Sequence, residues 1–300
     1  MHWMENNPER RTDPTLVLEG ARSVLVVARN YAPAGAAQPP DAAQIARYAW
    51  GDDYHDVLTP RLKSLGEFLE SLGGRQRSYV DTGPVLERDY AALAGIGWHG
   101  KSTMLISRQL GAFFFLGVML TTLELEPDKP AKDRCGSCSR CIDVCPTSAI
   151  TAPHHLDARR CIAYLTIELK GPIPEEFRPL IGNRIYGCDD CAAVCPWNRF
   201  ATASEEARFK AREFVHGWTL RDFLSLDQDG FNRLFKGSPI KRIKRRGFLR
   251  NVCVALGNTG TDEDLPALEQ AARDPEPLIA EHAHWAVERI RNRHRSGGLA

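Results

Sequence analysis

The sequence predicts three consecutive units: a mixed α/β domain over residues 1–130, a small cysteine-rich module over 131–200 and an all-α domain over 201–300. Three observations carry that division. Aliphatic runs of strand length alternate with segments of helical period in the first third. Eight of the nine cysteines crowd between positions 135 and 195. Beyond Asn198 the chain turns basic and then falls into two amphipathic helical segments. At 300 residues and 43% hydrophobic content the chain can bury more than one core. Its net charge of +1 gives no overall pull toward an acidic partner. No apolar stretch reaches the roughly 18 residues of a membrane span, and the N-terminus does not read as a secretory leader. A cytoplasmic protein without membrane contact is expected.

Taken in order, Ser23-Val24-Leu25-Val26-Val27-Ala28 is a continuous aliphatic run, the mark of a strand buried on both faces. Leu62, Leu65, Phe68, Leu69 and Leu72 recur at helical spacing, predicting a helix over 60–72 that stops at Gly73-Gly74. A short strand at 78–80, a helix over 85–93 and a second buried strand over 113–120 follow. The Pro/Lys/Asp-rich stretch 126–133 reads as a linker. Within the cysteine module, 157–170 reads as a helix carrying Cys161. Helices over 263–273 and 275–293, with an Ala-rich inner face, resemble a HEAT-type pair. Cys253, inside an apolar run, is expected to pack as a small hydrophobe.

The cysteine spacing is the sharpest signal. Cys135, Cys138, Cys141 and Cys145 precede Pro146 as C-x2-C-x2-C-x3-C-P. Cys188, Cys191 and Cys195 precede Pro196, with the remaining member displaced upstream to Cys161. This is the bacterial-ferredoxin arrangement for two cubane [4Fe–4S] clusters, in which the Cys before Pro ligates the neighbouring cluster. Cluster one is therefore assigned Cys135, Cys138, Cys141 and Cys195; cluster two takes Cys145, Cys161, Cys188 and Cys191. Structural zinc favours two CxxC pairs separated by a longer loop, and a disulfide framework needs an oxidising compartment. Electron transfer follows.

Two further features stand outside the clusters. Asp81 sits where a strand gives way to a Gly-Pro turn, a place for a functional carboxylate or for a helix cap. Gly95, Gly97 and Gly100 offer close approach of backbone to a large ligand, although neither a GxGxxG fingerprint nor a Walker loop is present. From Phe231 to Asn251 the chain carries Arg233, Lys236, Lys241, Arg242, Lys244, Arg245, Arg246 and Arg250 with no acidic residue. Such a run is either a solvated face or an electrostatic footprint for phosphates.

Arg47-Tyr48-Ala49-Trp50-Gly51-Asp52-Asp53-Tyr54-His55, the Val80-Asp81…Arg88 segment and Gly97-Trp98-His99-Gly100-Lys101 together resemble the epoxyqueuosine reductase family. The likeness continues through both cysteine runs, Cys195-Pro196-Trp197-Asn198 and the closing Arg250-Asn251…Ala255-Leu256-Gly257-Asn258. The resemblance implies an α/β corrinoid-binding domain, a ferredoxin-like two-cluster module and a HEAT-like domain that docks tRNA. It implies reduction of epoxyqueuosine to queuosine at the tRNA wobble position, the last step of queuosine biosynthesis. The implied cofactors are two [4Fe–4S] clusters and cobalamin, and the implied proton donor is Asp81, in a desolvated pocket that raises its pKa. Arg88, Trp98, Lys101 and Ser102, with Asp53 and His55, match segments that line the corrinoid. The expected partners are tRNA carrying epoxyqueuosine and an external electron donor, with the chain acting as a monomer. Family members carry a further strand and helix ahead of the position of Met1, so the chain reads as starting late, with a sheet edge left exposed. Two readings compete: a small-molecule corrinoid reductase, which gives the basic run no role, and a non-enzymatic electron carrier, which leaves Asp81 unexplained.

Overall fold

The computed structural model describes residues 5–32 and 38–297. The first unit is built on a three-stranded sheet ordered β1 (Ser23–Asn30), β6 (Phe114–Thr121) and β3 (Gln76–Tyr79), with both outer strands antiparallel to β6. The short strands β2 (Gln44–Ile45), β4 (Trp98–His99) and β5 (Leu105–Ile106) lie outside this sheet. The central strand is β6, and its Val118, Met119 and Leu120 are fully buried. β1 is an outer strand and its residues are only partly buried, so the expectation of burial on both faces is corrected. An unbroken aliphatic run fits an edge strand covered on one flank as well as a central one.

Helix α1 (Tyr54–Ser71) starts six residues before the predicted 60–72, because Asp53 caps it by accepting the His55 amide. Pro60 lies inside it and cannot donate to the carbonyl of Asp56. Arg208 repairs that defect, its Nη1 donating to Asp56 O at 3.0 Å. Val57, Leu58, Leu62 and Leu69 form the buried face, while Phe68 and Leu72 of the predicted stripe are exposed. Helix α2 (Glu87–Leu93) follows the Gly83-Pro84 turn and ends at Gly95.

The cysteine loops fold around two single-turn helices, α3 (Arg140–Asp143) and α4 (Asp190–Ala193). The hairpin β7 (Ile150–Ala152) and β8 (His155–Leu156) follows the first loop, and β9 (Arg184–Tyr186) precedes the second. Cys161 is not carried within a helix as expected. It lies in extended conformation between the short 3-10 turn Ala158–Arg160 and the turn Tyr164–Glu168. That position frees its sulfur to accept from the amides of Ala163 and Tyr164.

The C-terminal unit packs α5 (Lys244–Thr259), α6 (Leu265–Ala271) and α7 (Pro277–Gly297) together. Cys253 is buried in α5, as its apolar setting predicts. One hydrophobic cluster crosses all three units, joining Ile45 and Trp50 to Ile185 and Tyr186 and on to Phe248 and Ile290. The parallel bridge between β2 and β9 reinforces that junction. Among the described residues, no helix is long and apolar enough to cross a membrane.

Candidate active site and cluster centres

The segment from Arg47 to His55 is the crossroads of the molecule. The Arg47 amide donates to Asp189 Oδ2 at 2.6 Å, tying the first unit to the second cysteine loop. Asp52 accepts from Arg208 and Arg212, at 2.9 and 2.8 Å, tying it to the C-terminal unit. These bonds fix the start of α1 and hence Tyr54 and His55.

Asp81 lies at the end of β3 in a left-handed turn, φ 59°. Its carboxylate Oδ2 accepts from Tyr54 Oη at 2.7 Å. Its own amide donates to Glu87 Oε1, also at 2.7 Å. The tyrosine is held on both faces, by His55 with centroids 4.2 Å apart and by Phe115 at 4.5 Å. His55 Nδ1 pairs with Asp53 at 2.7 Å, and that hydrogen bond raises the imidazole's pKa. Burial alone would raise the Asp53 carboxyl, but the bonds from His55 outweigh it and hold it below its ordinary value. His55 Nε2 is buried with no hydrogen-bond partner among the described residues. Such an orphan is the kind of polar atom that a bound group satisfies.

The expectation of a desolvated Asp81 is corrected. The left-handed turn leaves its side chain exposed, and the desolvated carboxyl is that of Glu87. Burial pushes Glu87 up to about 7, opposed by the amide of Asp81. Glu87 stands inside the Val80–Arg88 segment but received no role from the sequence. Tyr54 was likewise passed over. The available signal was a second carboxylate six residues beyond Asp81, across a Gly-Pro turn.

The remaining residues matched to the corrinoid are engaged by the protein. Arg88 Nη1 donates to Thr103 O at 2.6 Å, pinning the turn that follows β4. Lys101 Nζ donates to Gly136 O at 2.6 Å and Cys138 O at 2.9 Å, holding the first cysteine loop. Ser102 is buried and lines the cavity between the cysteine loops. Trp98 packs edge-on against Trp197, centroids 5.0 Å apart, and its Nε1 lacks a partner among the described residues. The glycines are required by the protein's own packing. A Cβ at Gly97 would sit 2.3 Å from Ile106 O, one at Gly100 2.4 Å from Ile106 Cδ1, and one at Gly95 2.7 Å from Lys129 O.

All eight motif cysteines are free and partly buried. Cys135, Cys138, Cys141 and Cys195 line one cavity, together with Cys191. The thiolate charges of the first three act on Cys195 and that of Cys145 acts on Cys161, while Cys191 feels Cys161, Cys141 and Cys145 and so stands between the two groups. Burial raises the thiols of Cys141, Cys161, Cys188, Cys191 and Cys195, Cys191 to about 12, so thiolates there need a strong cation. Iron supplies one, and backbone amides already point at sulfur, as Ala149 N does at Cys145 Sγ, 3.3 Å away. The donor set therefore fits iron–sulfur clusters. Among the described residues no three His, Cys, Asp or Glu side chains converge on one ion; a cubane, with one thiolate per iron, asks for no such convergence.

The basic run is divided by the fold. Arg250 is buried and donates to the carbonyls of Leu165, Leu169 and Gly171. Arg245 pairs with Asp274 and Leu226 O. Arg242 pairs with Glu168, and its charge reaches Tyr48, Tyr186 and Asp81. Lys241, Lys244 and Arg246 are exposed. A cavity of about 220 Å³ is lined by Lys170, Arg242, Lys244, Arg246 and Arg250 with no acidic side chain.

Two family models match the chain: epoxyqueuosine reductase QueG, DUF1730, over residues 11–82, and a 4Fe-4S double cluster binding domain over 134–198. The chain is 45% identical to the epoxyqueuosine reductase of Salmonella typhimurium, covering 96% of this chain and 77% of that protein. It is 46% identical to the one from Xanthomonas campestris, covering 96% and 83%. A crystal structure of epoxyqueuosine reductase with an epoxyqueuosine-modified tRNA-Tyr stem loop superposes with a TM-score of 0.88 at 35% identity, over 94% of this chain and 77% of that one. The Streptococcus thermophilus epoxyqueuosine reductase gives 0.87 at 32%, over 96% and 78%. With such identity sustained over nearly its whole length, the chain belongs to the epoxyqueuosine reductase family of oxidoreductases.

Proposed function

We propose that this enzyme reduces epoxyqueuosine at the wobble position of cytoplasmic tRNA to queuosine, taking electrons from an external donor through two [4Fe–4S] clusters. Removing the epoxide oxygen to leave an alkene takes two electrons and two protons and releases water. Cobalamin would supply a low-potential cobalt as the immediate reductant. Asp53 and His55 would line it, with Trp98, and both His55 Nε2 and Trp98 Nε1 are buried without a partner among the described residues. Arg88 and Lys101 would contribute by fixing the Gly100–Thr103 turn, given the bonds they already make, and Ser102 by lining the cavity beside it.

The observation that carries the reading is continuity between the two centres. Asp81 bonds to Glu87, the neighbouring Arg88 bonds to Thr103, and Lys101 in the same turn bonds to the Cys138 carbonyl. The electron-carrying loops and the acid are thus parts of one framework. Asp81 gives a proton to the departing oxygen, and Tyr54 sets the orientation of its carboxyl. The motif spacing assigns Cys135, Cys138, Cys141 and Cys195 to one cluster and Cys145, Cys161, Cys188 and Cys191 to the other, with Cys191 also lining the first set's cavity. Lys241, Lys244 and Arg246 grip tRNA phosphates beside the pocket.

Asp81→Asn tests the reading. Turnover, scored by nucleoside mass spectrometry of the tRNA, should fall roughly 10²- to 10⁴-fold with tRNA binding and the cluster spectrum intact. Full turnover in this variant would remove Asp81 as the acid and move the role to His55.

A further inference from the structure

Glu87 is the one acid at the Asp81 turn whose carboxyl is turned inward, and no step above uses it. The turn is otherwise weakly held. Asp81 carries a side chain in left-handed conformation, which costs about 1 kcal/mol or more. Thr82 N donates to Val80 O at 2.7 Å, closing a tight reversal. Gly83 lies against the Tyr79 ring, where a Cβ would come within 2.3 Å of Cγ. From the far side of the turn, Glu87 returns its Oε1 to the Asp81 amide at 2.7 Å. The carboxyl is met there by Asp81 from the turn, His55 from α1 and Arg88 from its own helix.

We propose that Glu87 is a positioning residue for proton transfer: by gripping the backbone amide of Asp81 it holds the left-handed turn in which the Asp81 carboxylate meets the Tyr54 hydroxyl. The proposal rests on the reading of Asp81 as the proton donor. Two anchors then define the acid, Glu87 on its main chain and Tyr54 on its side chain. Without the first, the amide loses its acceptor, the turn relaxes toward ordinary φ, and the carboxyl leaves the tyrosine.

The test uses the full chain with clusters reconstituted. In Glu87→Ala, amide hydrogen exchange across residues 80–86 should speed at least 10-fold, and kcat should fall roughly 10- to 100-fold at unchanged KM for tRNA. Glu87→Gln keeps an acceptor oxygen at the same reach and should restore both to within about 3-fold. In an Asp81→Asn background, adding Glu87→Ala should cost nothing further in kcat, because a residue acting through another has no separate effect. Glu87→Asp, whose shorter side chain cannot span the distance, should behave as Glu87→Ala does and replaces it if that variant does not fold. Wild-type exchange and turnover in Glu87→Ala beside an inactive Asp81→Asn would overturn the positioning role and leave the proton donor standing. An independent loss in the Asp81→Asn background would show Glu87 to be a structural prop only. An active Asp81→Asn would instead overturn the reading beneath it.

Discussion

Arg250→Met separates a structural arginine from an RNA-binding one. The guanidinium is 1% exposed. Its Nη1 donates to Leu169 O at 2.8 Å and Gly171 O at 2.7 Å, and its Nη2 to Leu165 O at 2.8 Å. Asn251 Oδ1 takes the Nε and Nη2 protons, while Asn251 Nδ2 continues to Thr166 O and Ile185 O. Among the described residues no acid pairs with the cation; carbonyl dipoles solvate it, and burial lowers its pKa to about 10. Methionine fills a similar volume but removes the guanidinium donors from three buried or part-buried carbonyls and from Asn251 Oδ1. Hydrogen bonds to a charged group contribute about 1.5–3 kcal/mol each. The desolvation of the guanidinium is recovered at the same time, which brings the net loss to roughly 3–5 kcal/mol. For a chain of this size that corresponds to a fall in Tm of roughly 10 °C. Differential scanning calorimetry of the cluster-loaded protein at two scan rates is the assay, paired with tRNA affinity measured against salt. A Tm within about 2 °C of wild type, together with a flatter salt slope, would place Arg250 on the RNA and refute the structural assignment.

Lys244→Ala with Arg246→Ala should instead leave Tm unchanged and flatten the log–log salt dependence of tRNA binding by roughly 0.7–0.9 for each phosphate no longer neutralised; Arg245→Ala should lower Tm, through its bond to Asp274, and leave the slope alone. Reconstituted wild type should carry about eight iron and eight sulfide per chain, and Cys161→Ser should lose one cluster in electron paramagnetic resonance while the other survives. His282 is buried, with Nε2 accepting from the Ile173 amide and Nδ1 donating to Leu278 O. Burial and then the Arg178 charge depress its pKa from 6.5 to about 4. The unfolded state therefore binds the proton first, so stability present above pH 6.5 should be lost as pH falls toward 4, by up to roughly 1.4 kcal/mol per unit. Thermal melts between pH 6.5 and 5 should show that slope in wild type, reduced in His282→Leu.

Cluster chemistry and family membership were legible from residue order alone. Cluster ligands are spaced by the local geometry of a loop wrapping one object, so C-x2-C-x2-C-x3-C-P needs no tertiary information to be read. The strands, the helical period of α1 and the apolar setting of Cys253 are local in the same sense. Misassignments arose where partners lie far along the chain. Eight cations in one run looked like one surface, yet Arg245, Arg242 and Arg250 meet their acceptors 29, 74 and 85 residues away. The glycines after α2 looked like ligand clearance, and they make room for Ile106 and Lys129. The first turns of α1 depended on Asp53 and on Arg208, 152 residues beyond the carbonyl it satisfies. The division between Asp81 and Glu87 is of the same kind. Two carboxylates six residues apart are equivalent in a sequence, and only the left-handed turn decides which one faces water and which one is buried holding the other's amide. Burial and pairing are set by packing across the whole chain, and no local pattern encodes them.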